Sequence, residues 1–178
     1  MNHTPDRREA EARFREVFAH LAAVAAYARR RGSRDADAVA AEVMTIAWRR
    51  LADVPVDDPR PWLYATARNL VLADTRRASF VAAGHAGADL AGAQASDFAE
   101  FDAILGVALR SLSTLDREAL LLVAWEDLTP TQAARSLGIS PVAFRVRLLR
   151  ARRRMRTKLE EAVGEEAGAP SKLDLETT

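Results

Sequence analysis

The sequence has no cysteine and only three histidines, which lie far apart along the chain. Disulfides, thiolate metal ligands and cysteine nucleophiles are therefore excluded, and the histidines do not have the spacing of metal ligands. Paired carboxylates at a meaningful spacing, a Ser/His/Asp set and a phosphate-binding glycine loop are missing as well. We therefore expect no catalytic residue, no metal and no cofactor, and an enzyme is the least favoured class.

The chain also lacks a long apolar run and has only eight glycines. Because its start is polar and no run approaches about 18 apolar residues, we expect neither a signal peptide nor a membrane span, and a cytoplasmic protein. Alanine, leucine, arginine and glutamate are abundant over long stretches, and these side chains lose little freedom in a helix. The sequence therefore predicts an all-α fold.

The net charge of +1 conceals a strong separation of charge along the chain. Residues 104–159 carry eleven basic and four acidic side chains, whereas residues 160–178 carry one basic and six acidic side chains. A surface without a charged partner would mix the two signs more evenly. We interpret the basic segment as a candidate nucleic-acid face, with a solvated helix surface as the alternative.

Apolar residues recur at spacings of three and four in two parts of the chain, and this pattern predicts helices. The first helix of the first part carries a stripe from Phe14 through Phe18 to Ala28 and stops at Gly32. Two more helices follow, and the third ends near Arg77.

Between the two parts, the composition changes to Ala, Gly, Ser and Asp, which cannot bury enough apolar surface to offset chain entropy. We therefore predict two small helical domains, over residues 8–77 and 98–161. A flexible linker is predicted over residues 78–97, and an acidic, disordered tail over residues 162–178.

A helix-turn-helix is the most specific local pattern in the chain. Thr129 and Gln132 form a capping box around a proline at the first helical position, so a helix begins there. Gly138 can adopt the left-handed conformation that ends this helix, and Ser140 can cap the next one. Apolar residues then bury the junction between the helices, namely Leu137, Ile139, Phe144 and Leu148.

The second helix of this motif keeps one apolar face and crowds cations on its other faces, and no acid lies among them. The cations are Arg145, Arg147, Arg150, Arg152, Arg153, Arg154, Arg156 and Lys158. Such crowding is repulsive on an isolated helix, so a polyanion is the natural partner. A basic helix end that complements the helix dipole would explain the last three cations but not those just after the turn.

Four segments, taken together in this order, resemble sigma factors of the extracytoplasmic function group. They are Glu-Val-Met-Thr-Ile-Ala-Trp-Arg-Arg at 42–50, Trp-Leu-Tyr-Ala-Thr-Ala-Arg-Asn at 62–69, Leu-Asp-Arg-Glu-Ala-Leu at 115–120, and the helix-turn-helix. The resemblance covers most of residues 10–160. It implies that the first domain is equivalent to sigma region 2 and the second to region 4, without the intervening domain of larger sigma factors.

For the first domain, the resemblance implies a contact with core RNA polymerase on the second predicted helix. The implied residues are Asp35, Asp37, Glu42, Trp48 and Arg49. Ala38 and Ala41 depart from the family, in which these positions are commonly acidic and amide-bearing. From the residues alone, this helix is an ordinary amphipathic helix with solvated acids.

The resemblance further implies that the first domain captures single-stranded downstream promoter DNA. The loop from Pro55 to Pro61, with Arg68 and Asn69, would line a pocket for an extruded base, because an amide can both donate to and accept from a base edge. Arg76 and Arg77 would bind backbone phosphates. A helix C-terminus finished with cations is the alternative for these two arginines.

In the second domain, the resemblance places five residues against the major groove of the upstream promoter element, namely Val142, Arg145, Val146, Leu149 and Arg150. Arg147 and Arg153 would lie nearer the DNA backbone. Val146 and Leu149 are apolar where the family often has polar side chains. They therefore favour either contact with thymine methyl groups or a surface that is less engaged with DNA.

The implied function is a sigma factor that joins core RNA polymerase and directs promoter-specific initiation, with an anti-sigma factor as a further suggested partner. Two alternatives stay open. A dimeric helix-turn-helix regulator would need a dimerisation surface and would leave residues 62–69 unexplained. A sigma-like protein that acts only through protein contacts would suit Ala38 and Ala41 and the apolar recognition face.

Overall fold

The computed structural model describes residues 7–84 and 103–168, and within these ranges the regular structure is entirely helical. The first range holds α1 (Arg7–Phe18), α2 (Leu21–Arg30), α3 (Ala36–Arg49), a 3-10 turn (Leu51–Asp53) and α4 (Arg60–Gly84). The second holds α5 (Ala103–Arg110), α6 (Thr114–Ala124), α7 (Pro130–Leu137) and α8 (Pro141–Gly168). The all-α prediction is confirmed. In the part of the chain described, none of the helices is both long enough and apolar enough to cross a membrane.

The predicted first helix is in fact two helices, α1 and α2, which is a correction to the sequence analysis. The break lies at residues 19 and 20, where the backbone N–H of His20 donates to Val17 over 3.1 Å in a tight i to i−3 bond. The break also changes the solvent exposure of Phe18. This residue was predicted to lie on the buried stripe, but its side chain is 47% exposed because it lies at the end of α1.

Two helices are longer than the sequence analysis predicted. α4 continues to Gly84, into the predicted linker, and three of the seven residues 78–84 are alanine, which favours helix more than any other residue. α8 continues to Gly168, so residues 162–168 of the predicted disordered tail are helical. Glutamate and alanine support this extension, and Pro170 cannot continue a helix. The rest of the predicted linker, 85–97, and the rest of the tail, 169–178, lie outside the described residues.

The first part of the protein is built around α2, α3 and α4, which pack against one another in pairs. Val24 and Val43 are fully buried on α2 and α3, and Leu63 and Ala67 are fully buried on α4. α4 begins at Arg60, whose backbone N–H donates to the carboxylate of Asp58 over 3.1 Å.

In the second part, α8 packs against α5, α6 and α7. Phe144 is fully buried on α8 and Leu148 is 5% exposed, as the predicted apolar stripe requires. A small separate cluster joins Leu109, Leu112 and Leu121.

The two parts contact each other, chiefly through α4 and α7. Buried apolar residues from both parts form one continuous cluster that runs from Val24 and Leu63 to Leu128 and Phe144. The first helix of the helix-turn-helix therefore packs directly on the helix that carries the predicted downstream DNA contacts.

Candidate nucleic-acid interface

The helix-turn-helix forms through the local bonds that its sequence predicts. The N–H of Gln132 donates to the hydroxyl of Thr129 over 3.3 Å, and the side-chain oxygen of Gln132 accepts from the N–H of Thr129 over 2.8 Å. Gly138 ends α7 with φ of 65°, in the left-handed region that favours glycine. The N–H of Ala143 donates to the hydroxyl of Ser140 over 3.1 Å at the start of α8. The predicted capping box, left-handed turn and second cap are confirmed.

α8 separates into a buried apolar face and an exposed cationic face. Phe144, Leu148 and Ala151 are buried against the rest of the second part. The predicted DNA contacts Arg145, Arg150 and Arg153 are exposed, as are Arg152 and Arg156. The cations that can reach a polyanion therefore begin in the first turns of the recognition helix, where a helix of this motif meets DNA.

Arg147 has a protein partner, which sequence reasoning did not find. Its Nη1 donates to Oδ1 of Asp116 over 2.8 Å, and Nη1 of Arg154 donates to Oδ2 of the same carboxylate over 2.6 Å. The Asp116 side chain is only 7% exposed, whereas that of Arg147 is 33% exposed. Asp116, in the first turn of α6, therefore holds the recognition helix α8 through two ion pairs. In the free protein, Arg147 binds this carboxylate.

The apolar residues predicted to face the major groove are all exposed: Val142 by 66%, Val146 by 44% and Leu149 by 52%. They belong to the same side of α8 because their spacings are four and three residues. The structure therefore brings together an apolar row and a set of cations on one exposed surface.

The predicted downstream contacts lie along α4. Asn69 is exposed and Arg68 is partly buried. Two turns further on, Arg76 is exposed and its Nε donates to the carbonyl of Leu72 over 3.2 Å, and exposed Arg77 pairs with Asp74 over 3.4 Å. Asn69 and Arg76 are seven residues apart and share a helix face, so a single strand lying along α4 can meet both.

The loop before α4 ends at Pro59, whereas Pro61, which was predicted to belong to it, is buried in the first turn of α4. Asp58 links this loop to the helix-turn-helix. Its carboxylate pairs with the guanidinium of Arg60 over 3.0 Å and accepts a bond from the side-chain amide of Gln132. Burial alone would raise the pKa of Asp58, but the bonds from Arg60 and Gln132 lower it overall. Asp58 is therefore a charged acceptor in contact with both parts of the protein.

The residues predicted to bind polymerase lie on α3 and at its start. Asp35 is the N-cap, and its carboxylate accepts from the N–H of Ala38 over 2.8 Å. The other four, Asp37, Glu42, Trp48 and Arg49, are exposed, and so are Ala38 and Ala41. The outer face of α3 is thus accessible along its whole length.

An aromatic groove between α1 and α3 adjoins this outer face. We use the term for the surface lined by Phe14, Phe18 and Trp48, with Glu11 and Arg15 at its edge. The rings of Phe14 and Trp48 meet edge-on with centroids 5.1 Å apart, and Trp48 is 44% exposed. Sequence reasoning assigned Phe14 and Phe18 to the core. Trp48 lies on the same surface as these two residues. Sequence reasoning missed this because it depends on how α1 crosses α3.

A buried ion-pair network joins the two parts of the protein, and sequence reasoning missed it entirely. The guanidinium of Arg31 donates two bonds of 3.1 Å to the carboxylate of Glu118 and one of 2.6 Å to Glu126. Arg30 donates to the other oxygen of Glu126 over 2.7 Å. The hydroxyl of Tyr27 donates to Glu118 over 2.7 Å. Two cations from the end of α2 therefore neutralise two acids of the second part.

Two tyrosine rings pack against this network. The guanidinium of Arg31 lies 3.7 Å from the centre of the Tyr27 ring, and that ring stacks on Tyr64 with centroids 4.9 Å apart. Burial raises the pKa of Tyr27 well above its ordinary value, and Glu118 raises it further. Burial would lower the pKa of Arg31, but Glu118 and the neighbouring Glu126 raise it overall. Both side chains are held in their protonated forms.

Comparisons with known proteins agree with this geometry. Residues 102–155, which contain α5, α6, α7 and most of the recognition helix, match the family model described as Sigma-70, region 4. The solved structure of CnrH in complex with the cytosolic domain of CnrY is similar to the whole chain, at 27% identity. The likeness covers 89% of this chain and 92% of that one, with a TM-score of 0.59. The second part of the chain is therefore similar to region 4 of the sigma-70 family.

A second structure has the same fold. It is the sigma factor RpoE from Bartonella quintana, solved in complex with the anti-sigma factor NepR. It is 19% identical, covers 82% of this chain and 95% of its own, and has a TM-score of 0.62. At this identity, the likeness shows the fold alone. No curated protein is similar enough to this chain to count as a match. The resemblance to sigma factors of the extracytoplasmic function group is confirmed.

Proposed function

We propose that this chain is a sigma factor, which joins core RNA polymerase and directs initiation at promoters that it selects with two surfaces, one in each part of the chain. The observation that carries the proposal is the helix-turn-helix within a matched region 4, whose second helix exposes a cationic face from its first turns. Sigma factors are in general not enzymes, and we propose the same for this chain. Polymerase would perform the chemistry, and the site of action would be the cytoplasm.

The surface for the upstream element is the exposed side of α8. Arg145 and Arg150 supply guanidinium groups that can bind phosphates or form paired bonds to guanine, and Arg153 lies further along the helix for the backbone. Arg147, held by Asp116, supports this surface from its edge.

The surface for the downstream element is the exposed side of α4 and the loop before it. Asn69 offers an amide to the edge of an unpaired base, and Arg76 and Arg77, two turns further along α4, offer charge to neighbouring phosphates. Capture of unpaired bases by this surface makes melting of the promoter more favourable.

The polymerase surface would be the outer face of α3 together with the aromatic groove. Exposed aromatic side chains dominate the energetics of protein interfaces, and Glu42 and Arg49 supply charges at the rim. Ala38 and Ala41 themselves offer little contact area on α3. The aromatic groove supplies the apolar area instead. This supports polymerase binding through α1 as well as α3.

An anti-sigma protein is a further proposed partner. A sigma factor of the same fold was solved with one, the RpoE and NepR pair from Bartonella quintana. Such a partner would control when the surfaces on α4 and α8 are available.

Two substitutions separate the proposed surfaces. Arg150→Ala should abolish selection of the upstream element in transcription with purified core polymerase, while core binding stays intact. Trp48→Ala should weaken core binding by about thirtyfold, the loss that corresponds to the roughly 2 kcal/mol of an interface hot spot. Val107→Ala removes apolar area at a side chain that is 55% exposed on α5 and outside every proposed surface, so it is the matched control. Loss of core binding in Arg150→Ala, or an equal effect of Trp48→Ala and Val107→Ala, would contradict these assignments.

A further inference from the structure

Three apolar side chains form an exposed row on the recognition helix α8. Val142, Val146 and Leu149 are each between 44% and 66% exposed, although other apolar residues of this helix are buried. Their spacing of seven residues extends the row over about 10.5 Å at 1.5 Å per residue. The fold does not need these side chains for its own core, because the buried face of α8 belongs to Phe144 and Leu148.

The surroundings of the row favour DNA over a protein partner. Arg145, Arg150 and Arg153 are exposed beside it, and residues 141–159 contain eight cations and no acid. A partner that covers the row must therefore supply many negative charges around an apolar centre, because cations buried without a counter-charge are costly. A duplex meets both features at once, because phosphates line a groove whose floor carries base edges.

The chemistry of the three side chains selects one base. Valine and leucine neither donate nor accept hydrogen bonds, so they cannot read the polar edges of guanine, cytosine or adenine. Thymine presents a methyl group in the major groove, which is the apolar feature among the four base edges. The length of the row is close to three base-pair steps of about 3.4 Å each, which lets neighbouring side chains meet neighbouring bases.

We propose that Val142, Val146 and Leu149 contact thymine methyl groups, so that this sigma factor selects an upstream element with thymines at consecutive or near-consecutive positions. The inference rests on the proposed function and specifies its upstream surface. Arg145 and Arg150 would hold the phosphates and any flanking guanine, while the row would discriminate by methyl contact.

The test compares thymine with uracil, which lacks only the methyl group. Upstream duplexes are first selected from a randomised pool with the full chain bound to core polymerase, and each thymine is then replaced by uracil. Loss of one contacted methyl should weaken binding about fourfold, the equivalent of one buried methyl group. In Val146→Ala, the thymine-to-uracil ratio should fall to about one at a single position, because that variant has already lost the contact. Val107→Ala, at another exposed valine on α5, should leave every ratio unchanged.

Each outcome decides the proposal. The proposal is supported if thymine binds about fourfold more tightly than uracil, and if Val146→Ala removes this difference while Val107→Ala keeps it. Equal binding of thymine and uracil at all positions, with promoter-specific initiation intact, overturns the methyl contact and leaves the proposed function standing. Weaker core binding in Val146→Ala with unchanged promoter ratios overturns it in favour of a protein contact. If no duplex is selected and no specific start is made, the proposed function fails and the inference fails with it.

Discussion

Substitution of Arg31 by alanine should strongly destabilise the protein. The Arg31 side chain is 9% exposed, and the two carboxylates that it binds, on Glu118 and Glu126, are 8% and 2% exposed. Removal of one partner from a buried ion pair leaves an uncompensated charge and costs about 3–5 kcal/mol. Arg30 still neutralises part of the charge on Glu126, so Glu118 carries most of the penalty.

The matched control is Arg29, which lies two positions earlier in the chain, in the last turn of α2. Arg29 is 60% exposed, and its nearest acid, Asp37, is 85% exposed at 3.8 Å. An exposed pair of this kind contributes at most about 1 kcal/mol, so Arg29→Ala should be close to neutral. Urea unfolding followed by circular dichroism gives both free energies by linear extrapolation.

A second substitution tests the reason for the loss. Glu118→Gln removes the charge that Arg31→Ala leaves unpaired, so the double variant should be more stable than the sum of the two single losses by about 0.5–3 kcal/mol. Equal losses in Arg31→Ala and Arg29→Ala would refute the reasoning. Strict additivity of the two network substitutions would also show that the ion pair does not join the two parts in solution.

Two further predictions concern the same interface and the helix-turn-helix. The pKa of Tyr27 is raised by burial and by Glu118, so the folded state keeps a proton that the unfolded state loses. The free energy of unfolding should therefore fall as the pH rises above about 10. This fall should be shallower in Tyr27→Phe. A Tyr27→Phe profile identical to that of the parent would contradict this. Gly138 has φ of 65° and open space where a Cβ would lie. Thermal unfolding should therefore show that Gly138→Ala lowers the free energy of unfolding by about 1 kcal/mol, through backbone strain alone. A decrease of more than about 3 kcal/mol would contradict this, because it would require a steric clash that the structure does not contain.

Features specified by neighbouring residues could be predicted from the sequence. The capping box of Thr129 and Gln132, the left-handed Gly138 and the cap at Ser140 each depend on a few adjacent side chains, and all three are present. The buried stripe of α8 also follows from its spacing, since a helix of 3.6 residues per turn leaves little choice about which face is apolar.

Features that depend on distant residues could not be predicted in this way. Arg31 and Glu118 are 87 residues apart in sequence, and Arg30 and Arg31 look like cations that finish a helix until the second part packs against them. Asp116 and Arg147 present the same difficulty, because both have ordinary roles on their own helices. The break between α1 and α2 leaves the apolar pattern intact, and therefore the exposure of Phe18 is visible only in three dimensions.

Transcription in vitro tests the central claim most directly. Purified core RNA polymerase is supplied with a library of promoters, with and without this protein, and the start sites are mapped. The account predicts discrete starts that depend on the protein and that share one upstream and one downstream element. Tight duplex binding by the protein alone, with no specific start in the presence of core polymerase, would contradict it.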